Sequence, residues 1–243
     1  MGPALSRVLL DQVAAGHRPA TIRLSRPGRV VAFGRRDVVS PGYPQAVAAA
    51  ADAGFPGMER LAGGRAAAFS EGALSLTFTI PDPRPAERTN QRFSHLTNLV
   101  RDAFTDLGLD ARIGAVPGEY CPGEFSINAG GRVKVAGVGQ RMVRGGAHVG
   151  FVIMVSGSGL VADVLEPVYL ALGLDFDRVT VGSLEDELPG ISRKDVEAAL
   201  LERLGREGDL ENIPLDSESL ALASERAGKY RSTPPVNRSK PLG

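Results

Sequence analysis

Residues Ala73–Ile80 set Leu74, Leu76, Phe78 and Ile80 at alternate positions, the period of a strand with one buried face. Pro81-Asp82-Pro83 ends that run. From about Arg88 to Leu107, Phe93, Leu96, Leu99, Val100 and Phe104 then fall on one stripe of a helix. A half-buried strand and then an amphipathic helix constrain the chain to a sheet with helices packed on it.

The remaining segments extend this pattern. Ala20–Leu24 and Arg29–Phe33 read as two strands joined by the turn Ser25-Arg26-Pro27-Gly28. Glu124–Asn128 and Arg132–Ala136 read as a hairpin turned at Gly130-Gly131, and Val138–Val143 with His148–Val155 as a further pair around Gly145-Gly146. Helices are expected over Leu5–Ala15, Gln45–Ala53, Val161–Leu172, Ser192–Leu204 and Ser217–Tyr230, with Ser192 and Asp195 spaced as a capping box. The expected fold is α+β, a largely antiparallel sheet with packed helices. At 243 residues the chain can bury one large core. Residues 1–231 are therefore expected to form one domain, and the Pro- and Ser-containing residues 232–243 a disordered tail.

Lys+Arg and Asp+Glu both number 28, so no net field draws the chain to nucleic acid or an acidic membrane. No apolar run has the length of a membrane span, and Asp11 and Gln12 interrupt the N-terminal apolar stretch, a poor signal-peptide core. The single cysteine, Cys121, permits no internal disulfide and fits a reducing, cytoplasmic setting. One Cys and three scattered His supply no zinc spacing, and the GxxxxGK[ST] and GxGxxG phosphate loops are absent.

Three stretches can carry chemistry. In Glu59–Phe69, Gly63 and Gly64 can bring backbone N–H groups against a ligand, Arg60 and Arg65 can pair with a phosphate or carboxylate, and Ala66–Ala68 leave room. The same residues also fit a glycine turn between solvated arginines. In Gly130–Gln140, Lys134 is an ammonium held by a strand, able to polarise an acyl carbonyl or to sit on a wet face, and Gly137 and Gly139 admit substrate to the backbone. Cys121 lies in the turn-rich loop Val116–Gly123, where a thiol is either a small filler or an acyl-accepting nucleophile. His148 opens a strand close to these stretches, whereas His17 and His95 lie outside them.

In this order, Val31-Ala32-Phe33-Gly34-Arg35, Arg60-Leu61-Ala62-Gly63-Gly64-Arg65-Ala66-Ala67 and Gly131-Arg132-Val133-Lys134-Val135-Ala136-Gly137 resemble the biotin/lipoate ligase catalytic domain. Val179–Leu204 resembles the segment after the catalytic strands of lipoate-protein ligase A, and the likeness covers roughly residues 4 to 230. Arg-Leu-x-Gly-Gly-Arg-Ala and a cysteine some dozen residues before the lysine are closer to the cysteine-dependent octanoyltransferases.

The resemblance implies a class II synthetase/biotin-ligase-like sheet. It implies that Cys121 forms a thioester and Lys134 touches the acyl carbonyl. The acyl or phosphate site would then be lined by Arg60, Gly63, Gly64, Arg65, Ala66, Gly137, Val138 and His148. The implied donor is an octanoyl acyl-carrier-protein thioester, and the implied acceptor a lysine of a lipoyl-domain or glycine-cleavage H-type protein. A transferase of this kind needs no cofactor. The alternatives are an ATP- and Mg-using lipoate ligase acting through lipoyl-AMP, and a non-catalytic acyl-binding homologue. The second is motivated by Phe69-Ser70 standing where the family usually has His-Asp. A biotin ligase fits less well, because the chain has no Trp and lacks the arginine-glycine-rich loop.

Overall fold

The computed structural model describes residues 2–233. Helix α1 (Gly2–Ala14) leads to β1 (Thr21–Ser25) and β2 (Val30–Phe33), and α2 (Arg35–Val38) and α3 (Tyr43–Asp52) precede β3 (Gly57–Glu59) and β4 (Ala67–Phe69). After the long strand β5 (Ala73–Asp82) and helix α4 (Thr89–Asp106) come β6 (Ala111–Ile113), β7 (Ile127–Ala129), β8 (Val133–Val143) and β9 (Gly145–Met154). Helices α5 (Ser158–Leu172), α6 (Leu184–Glu187), α7 (Arg193–Glu207) and α8 (Ser217–Arg226) complete the described chain.

The architecture is α+β, with two sheets. Six strands form an antiparallel sheet in the order β1-β5-β9-β8-β7-β6, and β3-β2-β4 form a second, smaller one. On one face of the large sheet, Leu74, Leu76 and Phe78 of β5 and Val149, Phe151 and Ile153 of β9 meet Leu96, Val100 and Phe104 of α4 and Val196 and Leu200 of α7. The small sheet packs its Val31 and Phe33 with α3 and with Leu165, Val168 and Tyr169 of α5 in a second core. Burying such side chains contributes about 1.5–3 kcal/mol each.

Strand β5 differs from the half-buried strand that its alternation implies. Thr77 and Thr79, on the face opposite Leu76 and Phe78, are buried as well. Helix α1 lies across that second face, where a Cβ on Gly146 would meet Ala14 at 3.1 Å. Period-two patterning cannot show this cover, because hydroxyl side chains read as wet whichever layer lies over them.

The first two strands do not form a hairpin. Thr21–Ser25 pairs with β5, from Thr21 opposite Thr79 to Ser25 opposite Ser75, whereas β2 pairs with β3 and β4. The turn between them carries the chain from one sheet to the other. The hairpin at Gly130-Gly131 is present, and both glycines have positive φ, 58° and 75°, which a tight two-residue turn requires. Beyond it β8 runs unbroken through Gly137 and pairs with β9. Residues Glu124–Ser126 stay outside β7, and the Ser126 hydroxyl donates to Glu119 instead. Ser192 caps α7 reciprocally with Asp195.

Ser232, placed in the expected tail, is instead buried and accepts a 2.7 Å hydrogen bond from the Tyr43 hydroxyl. The rest of that expectation, from residue 234 onward, lies outside the described residues. Among the described residues no helix is long and apolar enough to cross a membrane.

Helices α3 and α5 meet over Gly42, where a Cβ would fall 1.8 Å from the Ala171 carbonyl oxygen. Its φ of −81° is open to any residue, so only the close approach selects glycine. Gly42→Ala is expected to destabilise the fold by about 1–3 kcal/mol, read as a lower urea midpoint with an unchanged slope.

Candidate active site

The loop between β6 and β7 is organised by one buried carboxylate. Glu119 is 3% exposed and accepts hydrogen bonds from the Val116 and Gly123 amides at 3.0 and 3.1 Å, the Ser126 hydroxyl at 2.6 Å and Lys134 Nζ at 3.0 Å. Lys134 is 2% exposed and gives its other two donors to the Tyr120 and Cys121 carbonyls, at 3.1 and 2.8 Å. All three ammonium protons are therefore committed within the loop. Its Nζ also lies 4.9 Å from the centre of the Tyr120 ring. The wet-face alternative for Lys134 is thus overturned.

A β-bulge aims this lysine. Asn128 pairs with Lys134 but Ile127 pairs with Ala136, leaving Val135 as an extra residue in β8. Val135 and Ala136, neighbours in sequence, consequently both reach the main core. Lys134 swings to the face of Gly137, whose Cβ would stand 3.3 Å from Lys134 Cε. Strict alternation would have put residues three apart on opposite faces.

Cys121 has φ 44°, the only positive value for a non-glycine residue among those described. Such backbone costs energy unless its surroundings fix it. Here the Cys121 amide donates to the Tyr169 hydroxyl at 2.7 Å while its carbonyl accepts from Lys134. Tyr169 donates in turn to the Ala66 carbonyl at 2.9 Å, so helix α5 ties the cysteine loop to the glycine loop.

The glycine loop supplies the thiol's donors. Arg60 Nη2 and the Arg65 amide each point at Cys121 Sγ from 3.2 Å. Burial pushes the Cys121 thiol up. The charges of Arg60 and Lys134 and the two hydrogen bonds outweigh it, leaving the thiol below its ordinary pKa. The Arg65 side chain faces away, to the buried Asp37 at 3.2 Å, and Asp37 also accepts the Gly34 amide at 2.9 Å. Gly34 lets the loop close in, since a Cβ there would lie 1.8 Å from the Gly64 carbonyl oxygen. Gly64 has φ 110°, and its Cβ would lie 1.9 Å from Arg60 Nη2 and 2.9 Å from Cys121 Sγ. Gly63 faces open space.

These groups stand at a cleft of ≈ 1180 Å³ between the large sheet and the glycine loop, lined in part by Arg60, Gly63, Gly64, Cys121, Lys134, Gly137, Val138 and His148. Gly139 leaves space for Ala62 and Gly63, which a Cβ there would approach to 3.1 and 3.5 Å. His148 is buried beside Thr79, and burial with the nearby Arg23 charge lowers its pKa to about 4, so it is neutral at physiological pH. Ala66 is fully buried in the second core, and its carbonyl faces Tyr169. The small residues Ala66 and Ala68 thus make room for α5. Arg65 takes part through its amide. His17 and His95 are exposed, and no metal-holding group of three His, Cys, Asp or Glu occurs among the described residues.

Sequence reasoning missed Glu119, Tyr169 and Asp37. Glu119 reads as a solvated acid in a turn-rich loop, and Tyr169 as one more apolar position of a helix. A Glu two residues before a cysteine and fifteen before a strand lysine was the one signal for the first.

A model of the lipoyl protein ligase A/B catalytic domain matches residues 3–205, and the chain belongs to that family. It is similar to the octanoyl-[GcvH]:protein N-octanoyltransferase of Geobacillus kaustophilus, 28% identical over 86% of this chain and 72% of that protein. The protein of that name from Oceanobacillus iheyensis is 26% identical over 92% of this chain and 84% of its own. Among solved structures, Ta0514 of Thermoplasma acidophilum, a putative lipoate protein ligase, superposes with a TM-score of 0.74 at 19% identity, covering 94% of this chain and 89% of that one. The last likeness concerns the fold.

The site's electrostatics lead to two expected outcomes. Lys134→Ala strands the Glu119 carboxylate without its cation, and is expected to cost about 3–5 kcal/mol in urea denaturation. Lys134→Met combined with Glu119→Gln should recover much of that loss. Separately, the rate of Cys121 alkylation by iodoacetamide should rise with pH around a midpoint below the free-thiol value of about 8.5. Arg60 favours the thiolate, so Arg60→Gln should raise the midpoint and slow alkylation at neutral pH. Gly64→Ala, which displaces Arg60, should do the same, and Gly63→Ala should leave the midpoint in place.

Proposed function

We propose that this chain is a protein octanoyltransferase in which Cys121 carries the octanoyl group between two carrier proteins. The observation that carries the reading is the Cys121 thiol, held at the cleft by Arg60 and the Arg65 amide and lowered in pKa by them and by Lys134. Membership of the family and the names of the similar proteins support it.

The thiolate attacks the carbonyl carbon of an octanoyl acyl-carrier-protein thioester. A new C–S bond forms, the donor's C–S bond breaks, and the carrier thiolate leaves and takes up a proton. A neutral lysine amine of a lipoyl-domain or glycine-cleavage H-type acceptor then attacks the Cys121 thioester. The C–N bond forms, the C–S bond breaks, the amine loses its proton and the Cys121 thiolate is restored. Exchange between thioesters is nearly balanced and amide formation runs downhill, so neither step needs ATP. Lys134 acts here by fixing the Cys121 carbonyl and by its charge, since its three donors are already engaged. The names of the relatives favour a second reading of the donor, in which octanoyl arrives on GcvH. The same thiol would serve it.

Incubation with octanoyl acyl-carrier protein or octanoyl-GcvH, and then intact-mass measurement, should give a single octanoyl adduct on the protein that Cys121→Ser abolishes. A lipoyl-domain acceptor should then gain octanoyl without ATP. Undiminished acceptor octanoylation by Cys121→Ser would overturn the covalent route. Acceptor modification from free lipoate only with Mg-ATP would place the chain among the ligases.

A further inference from the structure

Three basic residues meet at the Cys121 loop, and two of them already have carboxylates. Lys134 is paired with Glu119 and has all three protons engaged within the loop, and the Arg65 side chain is paired with Asp37. Arg60 is the third. It forms no ion pair with a carboxylate among the described residues, its Nη2 has only the Cys121 sulfur for a partner, and its Nε is buried with no acceptor. A half-buried guanidinium held in this way has donors ready for an anion that arrives. Its own amide donates to the Phe33 carbonyl at 3.0 Å, which fixes the root of the side chain on β2.

The second donor on the sulfur, the Arg65 amide, is as firmly set. Gly34 abuts the Gly64 carbonyl, so the Gly64–Arg65 peptide keeps its carbonyl at Gly34 and its N–H on Sγ. Two donors from one loop thus converge on one atom from 3.2 Å each. The missing side chain of Gly64, whose Cβ would stand 2.9 Å from Sγ, keeps the space beside them open.

In the resting thiolate these donors meet the charge on sulfur. Attack on an acyl thioester moves that charge: the sulfur pair becomes the new C–S bond, and the carbonyl π pair passes to the oxygen. That oxygen is two bonds from the sulfur, within reach of donors aimed at Sγ, and the uncharged sulfur competes for them weakly. Lys134 cannot follow the charge, because its protons stay on Glu119 and two carbonyls. Collapse restores the carbonyl, breaks the donor's C–S bond and releases its thiolate, which takes up a proton. The acceptor amine later charges the same oxygen again and loses its proton, and the second collapse returns the electron pair to Sγ.

We propose that Arg60 Nη2 and the Arg65 amide form the oxyanion hole of the acyl transfer, passing from the Cys121 thiolate to the carbonyl oxygen as the charge moves. This rests on the transferase reading. It makes Arg60 a catalytic residue and gives the stabilisation of the transition state to the glycine loop rather than to the strand lysine.

Alkylation by iodoacetamide and acylation by an octanoyl thioester start from the same thiolate, and only acylation places charge on oxygen. Both are measured at a pH above the thiol midpoint of each protein, where the thiolate is fully formed. Arg60→Gln should there alkylate at least as fast as the wild type and acylate about a hundredfold more slowly. Arg60→Lys should recover part of the loss. A second readout needs no turnover. Octanal adds to Cys121 as a hemithioacetal, in which the C–S bond forms and the thiol proton goes to the carbonyl oxygen. Magnetic resonance of the isotope-labelled carbonyl carbon should show that hydroxyl ionising at a lower pH in the wild type than in Arg60→Gln.

Equal acylation rates for Arg60→Gln and the wild type overturn the oxyanion hole and leave the transferase reading standing. Equal losses of alkylation and acylation also overturn it, because they would arise at the thiol. A wild type that no donor acylates, but whose octanal adduct ionises early, does the reverse. If Arg60→Gln does not fold, the wild-type adduct decides: ionisation no easier than in the octanal adduct of a free thiol overturns the proposal.

Discussion

The site is built on the burial of one carboxylate and one ammonium together. Either alone would be untenable in the interior, and the pair is sustained because every donor and acceptor it exposes is used. Glu119 gathers two amides, a hydroxyl and Lys134, and Lys134 gives its remaining donors to the carbonyls of Tyr120 and Cys121. The arrangement pins a segment with no regular secondary structure to β8 of the large sheet. That anchorage is what allows Cys121 to remain in a left-handed conformation disfavoured for a cysteine.

Glycine acts in two distinct ways around this anchor. At Gly130, Gly131 and Gly64 it supplies positive φ. At Gly34 and Gly42 the backbone angle is ordinary and what matters is the missing Cβ, which lets one segment touch the carbonyl of another. At Gly34 this second use brings the glycine loop within hydrogen-bonding reach of the thiol, and at Gly42 it seats α3 on α5.

Much of the framework was legible in the sequence. The Gly-Gly turn, the Ser192–Asp195 cap and the strand at Ala73–Ile80 are local signals, complete within a few residues. Cys121, Arg60, Gly64 and Lys134 were legible as a set, and the structure brings them together. What escaped reading depends on partners distant along the chain. Tyr169 meets Cys121 across 48 positions, and Arg23 meets the cleft only because β1 leaves β2 for the opposite sheet. The bulge at Val135 hides differently. Val-Lys-Val-Ala reads as uninterrupted alternation, and nothing in those four letters reports the residue that the partner strand omits. Ala66 misled by its size, since a small side chain accommodates a helix as readily as a ligand.

The thiol's loop is held both by Lys134 of the large sheet and by Tyr169 of α5. The thiol's hydrogen-bond donors, Arg60 and the Arg65 amide, come from the glycine loop between β3 and β4 of the small sheet. The lowered pKa of the thiol is therefore a property of the seated assembly, drawn from Arg60 and the Arg65 amide on one side and Lys134 on the other. A nascent or partly opened chain holds a cysteine of ordinary acidity, mostly protonated at neutral pH and slow toward stray electrophiles. Only when the two sheets close does the thiol meet the donors that lower its pKa, so its acidity reports the tertiary contact.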